Sequence, residues 1–584
     1  MSRDETFVSD LACWLVAAVF VLGLLHLAVK LREVQVTDAA DYDYAKARQS
    51  VRRVQTAGAR GRILDRNGRA LAENRRSVSI VCDAVAFQRR TWTDTMASIT
   101  LAVERVSAKV GRPSRLEART ISRHLSQSLA MPLVVWRDID FELLARFAEH
   151  EREFPGFRLQ ETEERTYPNG SLAAHVVGYV GRDRGEAEAG DEKFNFYCPE
   201  MRGRAGLETY YDSYLRGVSG EANVLVDARG FAIRDWTVVE ARPGLDLRLT
   251  LDLDVQAAVE RELRGCRGAC VVLDPRNGDV LALASAPTFD PNDFVPILTH
   301  EQYEKYADDP YKPLLNRASG GAYAPGSTFK PVTALAGLFA GFPAAEEYDC
   351  SGVFVCGRMR LHCARRWGHG LLDMRHALRE SCNAYFCHLG MQIGTNALFA
   401  AARTLGLGRR TGLDLGVDTA GIVPSAEWKR NVYNEPWYPG DLPQTSIGQG
   451  MLLASPLQMA LVAGAVGTGY RVTPHLKSEI ASARSPLPYS AAQMKVVRDG
   501  MRMVVDGGTG RRGGEGVAVQ VSGKTGTAEI GIGERRRKNT WFIAYAPSAM
   551  PTVAVAMVIE NGESGGATTA PKVRNVLARI FGSK

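Results

Sequence analysis

Long hydrophobic runs are almost missing from this 584-residue chain: there is one, near the N-terminus, and no second that would cross a bilayer. Low-complexity tracts and internal repeats are missing too, which leaves globular architecture rather than a disordered or repeat protein. Charge of one sign is not in large excess. The net +7 is mild for this length and no nucleic-acid motif accompanies it, so no nucleic-acid partner is expected. Ten cysteines suit an oxidising or a reducing compartment and settle neither. What is present, 45% apolar and 23% charged residues, is ordinary for a chain that folds as two to four domains.

The single apolar run, Leu11 to Val29 (LACWLVAAVFVLGLLHLAV), has His26 as its one strongly polar member. At 1.5 Å per residue it spans roughly 28 Å, about one hydrocarbon core. Lys30 and Arg32 follow it where a secretory signal would carry small residues for cleavage, so a retained transmembrane helix over 11–29 is expected. Arg3 is offset by Asp4, Glu5 and Asp10, and the positive-inside rule gives no orientation. The residues beyond 30 form a large water-soluble body on one side of the membrane.

In that body, RGRILDRNGRALA (60–72) reads as a β-hairpin turning at Asn67-Gly68. Residues 93–150 are mostly helical in pattern, and 164–170 and 204–217 read as strand-like and turn-rich. A boundary falls near 241–256, dividing a domain over 30–245 from one over 246–584. The second opens on another Asn-Gly hairpin, CVVLDPRNGDVLALASA (270–286), and continues with strands, several helices and strands again. This predicts an α+β fold with helices packed on an antiparallel sheet.

Three short patterns, each occurring once, carry chemistry. In YAPGSTFKPVTALAGL, Ser327 and Lys330 stand at i and i+3 where a helix begins, which sets a hydroxyl beside an amine. A serine needs a base to become a nucleophile, and a lysine with a lowered pKa serves. The helix N-terminus also turns backbone N–H groups toward the space beside Ser327. Such a pair alone is weak, being expected by chance about once in a chain of this composition. The second pattern is Ser381-Cys382-Asn383 and the third Lys524-Thr525-Gly526, about 50 and 140 residues further on in turn. S-x-x-K, S-x-N and K-T-G in this order make up the serine penicillin-recognising signature.

The chemistry expected of such a set is acyl transfer. Ser327 attacks an amide carbonyl with Lys330 as base, and Lys524 is the neighbour whose charge depresses the Lys330 pKa. Ser381 relays protons to the leaving amine and Asn383 hydrogen-bonds the substrate backbone. Lys524, with the hydroxyls of Thr525 and Thr527, suits a free carboxylate, while Gly526 lets substrate come close to its strand. The N–H groups of Ser327 and Thr527 form the oxyanion hole.

With these motifs the chain resembles the class B penicillin-binding proteins, single-span exported D,D-transpeptidases that cross-link peptidoglycan stem peptides. RGRILDRNGRALA, RTYPNGSLAAHVVGYVG and GRAGLETYYDSYLRG are similar to the family's non-catalytic pedestal. LTLDLDVQ, DPRNGDVLALASAPTFDPN, TSIGQGMLLASPLQ and NTWFIAYAP are similar to its transpeptidase domain. LLNRASGGAYAPGSTFKP and the WGHG at 367–370 look most like the elongation-type members. The resemblance implies stem peptides and β-lactams as ligands, a membrane-embedded lipid II polymerase of the rod complex as partner, and no cofactor for catalysis. It also implies a body in the periplasm, an anchor in the cell inner membrane and residues 1–10 as a cytoplasmic tail. The rivals are a division-type enzyme of the same class, a β-lactamase or antibiotic sensor, a D,D-carboxypeptidase, and a scaffold that activates the polymerase without catalysis. A pedestal of about 200 residues is superfluous for a β-lactamase or a carboxypeptidase.

YDCSGVFVCGRMRLHCARRWGHG (348–370) crowds cysteine and histidine just before the second motif. Cys350, Cys363, His369 and Cys382 are four soft ligands suited to tetrahedral Zn²⁺, at a spacing looser than a zinc finger's, with Cys356 or Asp349 as substitutes for Cys350. A disulfide from Cys356 to Cys350 or Cys363, and free thiols, stay open as alternatives. Some elongation-type members resemble this stretch but carry aspartate at the positions of Cys350 and Cys363, with zinc held there. The resemblance therefore implies a structural Cys₃His site. The basic run Arg535 to Lys538 reads as a solvated hairpin tip.

Overall fold

The structure is a computed structural model, and it describes residues 3–39, 50–182, 196–197, 201–295, 298, 300–531 and 537–583. The apolar run lies in helix α1 (Arg3–Arg32), whose Leu, Val and Phe side chains from Leu11 onward are exposed all round. A helix apolar on every face has no core to turn toward in water. Its apolar stretch is long enough to cross a membrane.

The body begins with β1 (Val51–Thr56) and the first Asn-Gly hairpin, β2 (Ile63–Leu64) with β3 (Ala70–Cys82). Gly68 at the turn has φ +85°, the conformation that favours glycine there. β3 pairs antiparallel with β5 (Phe157–Thr166) from Glu73↔Thr166 to Cys82↔Phe157. Between them come α2 (Trp92–Val110), α3 (Ala118–Gln127), β4 (Leu133–Trp136) and α4 (Phe141–His150). The helical expectation for 93–150 thus misses β4. MPLVVW is too short to show a period, and β4 pairs with the far end of β3. A second correction concerns 204–217, which forms two short helices, Gly206–Tyr210 and Asp212–Arg216. Its apolar residues Leu207, Tyr211 and Leu215 are spaced by four, a helical rather than a strand pattern. β6 (Gly220–Val226) and β7 (Ala232–Val239) pair in a sheet with β1. Near the joint with the rest of the body, Glu208 is fully buried between Arg60 at 2.6 Å and Arg165 at 2.7 Å. Breaking such a pair would strand a buried charge.

The second half is built on one antiparallel five-stranded sheet. After α5 (Leu253–Leu263) come the hairpin strands β8 (Gly268–Leu273) and β9 (Val280–Ala286). Helix α6 (Lys330–Phe339) starts the helical layer. It is followed by the short strands β10 (Tyr348–Cys350), β11 (Val353–Cys356), β12 (Met359–His362) and β13 (Gly370–Leu372), then α7 (Met374–Arg379) and α8 (Asn383–Thr404). Helices α9 (Pro456–Thr468) and α10 (Ala491–Gly507) precede β14 (Ser522–Ile530), β15 (Arg537–Ala546) and β16 (Val553–Glu560), and α11 (Ala570–Phe581) ends the chain's last layer. Strand order is β9-β8-β16-β15-β14, which leaves β14 at an edge.

Side chains alternate across a strand, and both faces of this sheet are apolar. Cys270 and Val272 pack with Leu263 of α5 and Val573 and Leu577 of α11, while Val271 and Leu273 pack with Leu457 and Leu461 of α9. A sheet covered on both sides is read from continuous apolar runs rather than alternation, as CVVL and WFIAYA are here. Arg537 and Lys538 open β15 as paired strand residues, while Arg535 and Arg536 lie outside the described residues.

Candidate active site

Ser327 sits in a single 3-10 turn, Gly326–Phe329, that runs into α6. Two glycines let this turn nest against the sheet edge. Gly326 has φ +55°, and a Cβ on it would fall 2.9 Å from the carbonyl oxygen of Thr527. A Cβ on Gly526 would lie 2.8 Å from Thr328 Cγ2, so the close approach at this glycine is made by the serine's own turn. The first and third motifs are therefore packed backbone to backbone, with the Ser327 turn beside the Thr527 peptide.

The second motif comes from the corner between α7 and α8. Ser381 adopts φ +56°, Cys382 caps α8 by accepting from the Tyr385 N–H at 3.4 Å, and Asn383 is the first helical residue. Lys330, fully buried, donates to the Ser381 carbonyl at 2.6 Å, to Asn383 Oδ1 at 2.7 Å and to Ser381 Oγ at 3.3 Å. Lys524, equally buried, donates to Ser381 Oγ at 2.8 Å and to the Thr525 carbonyl at 3.0 Å. The Ser381 hydroxyl is thus held between two lysine amines that water does not reach. Burial pushes the Lys330 pKa down to about 8, opposed by the neighbouring thiols. Burial also drives the Lys524 pKa well below the usual lysine range, with the charge of Lys330 adding to the shift. Among the described residues no hydrogen bond joins Lys330 to Ser327; the lysine faces the second motif.

β14 sends Lys524 into the helical layer and Thr525 and Thr527 to its other face. Thr527 Oγ1 accepts from the Gly565 N–H at 3.3 Å, and Thr525 Oγ1 lies 2.7 Å from Thr509 Oγ1. Gly565 and Thr509 escape a sequence reading, because nothing in GESGGATTA or DGGTGRRGG names a partner. So does the carbonyl of His362, which accepts from Asn383 Nδ2 at 2.8 Å.

That carbonyl belongs to the residue before Cys363, and the four expected ligands do come together. Cys350, Cys363, His369 and Cys382 bring one ligand atom each to within 4.8 Å of all the others. β10 pairs with β13 and places Cys350 opposite Gly370, while Cys363 follows the hairpin β11–β12. Cys350 Sγ lies 3.7 Å from Cys363 Sγ and 3.4 Å from His369 Nδ1, and Cys363 Sγ lies 3.8 Å from Cys382 Sγ. A hydrogen bond from Cys382 holds the Cys363 thiol's pKa below the usual range, against the opposing effect of burial and with help from the Ala384 N–H. Cys356 is elsewhere, at the end of its hairpin with Sγ 3.7 Å from the Pro439 carbonyl, and all described cysteines are free thiols.

Comparison with known proteins gives the family. The penicillin binding protein transpeptidase domain matches residues 268–578, and the penicillin-binding protein dimerisation domain matches 55–249. Peptidoglycan D,D-transpeptidase MrdA of Escherichia coli (strain K12) is 32% identical over 607 residues, covering 97% of this chain and 94% of its own. The chain belongs to the class B penicillin-binding proteins of the MrdA (PBP2) type. MrdA of Acinetobacter baumannii is 31% identical, covering 94% of this chain and 84% of its own. The solved complex between PBP2 and MreC from Helicobacter pylori superposes with a TM-score of 0.79 at 26% identity, covering 91% of this chain and 98% of that one. The class B assignment makes the protein an elongation-type peptidoglycan D,D-transpeptidase and a penicillin-binding protein, with a serine-type mechanism for which no catalytic cofactor is indicated.

Proposed function

We propose that Ser327 is the nucleophile of this transpeptidase, with Lys330, Ser381, Asn383 and Lys524 as its catalytic machinery. One observation carries the reading: the Ser381 hydroxyl lies between two fully buried lysines, beside the turn that bears Ser327. Burial favours the neutral amine, and one lysine's charge discourages a second. Lys330 in its neutral form takes the Ser327 proton as Oγ adds to the amide carbonyl of the D-Ala-D-Ala terminus. The oxyanion is met by the N–H groups of Ser327 and Thr527. Ser381, polarised by Lys524, gives its proton to the departing amine and is reprotonated by Lys330, which returns the proton taken from Ser327. An acceptor amine then takes the acyl group and frees Ser327. Asn383 orients the donor peptide, and Thr525, Gly526 and Thr527 line the place of its terminal carboxylate.

Fluorescent penicillin tests this. Wild type should label covalently and Ser327→Ala should not; labelling that survives in the alanine variant overturns the assignment. Slow release of the label is expected, since rapid turnover of a chromogenic cephalosporin would belong to a β-lactamase.

Residues 30–245 serve in this reading as pedestal and 246–584 as catalytic domain, with 11–29 spanning the inner membrane and 1–10 in the cytoplasm. The body then stands in the periplasm, where the substrate is. The polymerase partner is a membrane-embedded lipid II polymerase. Support comes from a relative of 31% identity and TM-score 0.73 described as a peptidoglycan synthase complex coordinating polymerization and crosslinking.

The Cys₃His cluster fits zinc. Zn–S bonds of about 2.3 Å and a Zn–N bond of about 2.0 Å set tetrahedrally put sulfurs about 3.8 Å apart and sulfur about 3.5 Å from nitrogen. The observed separations are 3.7, 3.8 and 3.4 Å. A disulfide would need sulfurs about 2 Å apart. Cys350, Cys363, His369 and Cys382 would hold the ion, which supplies cross-linking of the chain and no chemistry on substrate.

A further inference from the structure

Helix α10 ends at Gly507, within the run Asp506-Gly-Gly-Thr-Gly510, and the chain just beyond it reaches Thr525 of β14. Thr509 is held on two sides by glycines with no room for a side chain. A Cβ on Gly510 would lie 2.9 Å from Val504 Cγ1 and 3.0 Å from Phe542 Cε2, and one on Gly566 would lie 2.5 Å from the Thr509 carbonyl oxygen. This fixes the Thr509 hydroxyl 2.7 Å from that of Thr525.

Thr525 of the third motif and Thr527 just after it share one face of β14, and their hydroxyls differ in how they are served. Thr527 Oγ1 accepts from the Gly565 N–H, so its own proton is free to be donated. Thr525 is buried and its hydroxyl is met by Thr509, itself exposed. A carboxylate accepts only, and both hydroxyls that meet it must donate. A proton spent by Thr525 on Thr509 would turn a lone pair toward the anion. We propose that Thr509 is a positioning residue for the substrate's terminal carboxylate. Its O–H donates to Thr525 Oγ1 and leaves the Thr525 proton facing the cleft, as Gly565 does for Thr527. The ligand is a free carboxylate at the end of a peptide, or the ring carboxylate of a β-lactam. The inference rests on the reading above that Thr525 and Thr527 receive that group.

The experiment measures second-order acylation of the full chain in detergent by benzylpenicillin and by its methyl ester, which lacks the anion. Thr509→Val should slow the acid about tenfold, through weaker binding with the limiting acylation rate retained. Thr509→Ser, which keeps the donor, should stay within about twofold of wild type, and the ester should not distinguish the three proteins. Equal losses with acid and ester, or no loss in Thr509→Val, overturn the proposal. Thr525→Val separates it from its premise: the acid's advantage over the ester should collapse in that variant. If the advantage persists, the carboxylate subsite lies elsewhere and both readings fail.

Discussion

At the scale of single residues, Ser381 shows what the site costs the fold. Its φ of +56° is the left-handed conformation, which a residue with a Cβ occupies at roughly 1–2 kcal/mol. It persists because the Ser381 N–H reaches the Leu378 carbonyl at 3.2 Å, the Cys382 N–H reaches Ala377 at 2.9 Å, and two lysines hold the oxygens. Replacing Ser381 by alanine removes the hydroxyl and keeps the strain, whereas glycine removes both. Both variants should lose penicillin acylation by at least about a hundredfold. The glycine variant should be the more stable by about 1 kcal/mol in denaturant unfolding. Equal stabilities would mean the corner is not strained. The three motifs were legible in the sequence because their order and spacing are a signature. The conformation of Ser381 was not, since serine has no preference for it and the packing of α7 on α8 imposes it.

At the scale of elements, the cysteine-rich stretch and the second motif are one unit. Cys382 is a member of the Cys₃His cluster and also the cap of α8, and Asn383 hangs from the carbonyl before Cys363. The purified protein should carry about one equivalent of zinc, measured by elemental analysis. Cys382→Ser should lose the metal and unfold at least about 5 °C lower. Chelation of wild type should slow acylation with the lost metal, because Asn383 loses its anchor. Metal-free wild type with unchanged melting would refute the site. That the four side chains gather was readable from residue type and position, since sulfur and imidazole in one short stretch invite a soft ion. The hairpin β11–β12 that delivers Cys363, and the His362 carbonyl that steadies Asn383, were not readable. Both depend on backbone geometry rather than on side-chain identity. The same holds for β4, a strand that exists only because the long β3 offers it an edge.

At the scale of the whole molecule, the pedestal meets the catalytic body through buried polar groups. His175 is one: its Nε2–H donates to the Pro313 carbonyl at 2.7 Å, and its ring packs edge-on to Phe289 at 5.1 Å. Burial pushes its pKa down to about 4, with the Arg317 charge in the same direction. A depressed histidine supports the fold in full above its unfolded pKa near 6.5 and loses that support as pH falls toward 4. The loss should reach about 3 kcal/mol across that window. The melting temperature of wild type should therefore fall more steeply between pH 6.5 and 4.5 than that of His175→Gln, which keeps a donor and cannot titrate. Parallel curves would place the acid sensitivity elsewhere. The outer margin of the central sheet has a different consequence. Among the described residues β14 pairs as a strand with β15 alone, so its other margin is an open sheet edge, met in part by the Ser327 turn. A template of that kind recognises the rhythm of amide groups and is indifferent to the side chains between them. A molecule that reproduces one amide and one carboxylate at the right interval passes inspection, whether it is a peptide or a drug that imitates one.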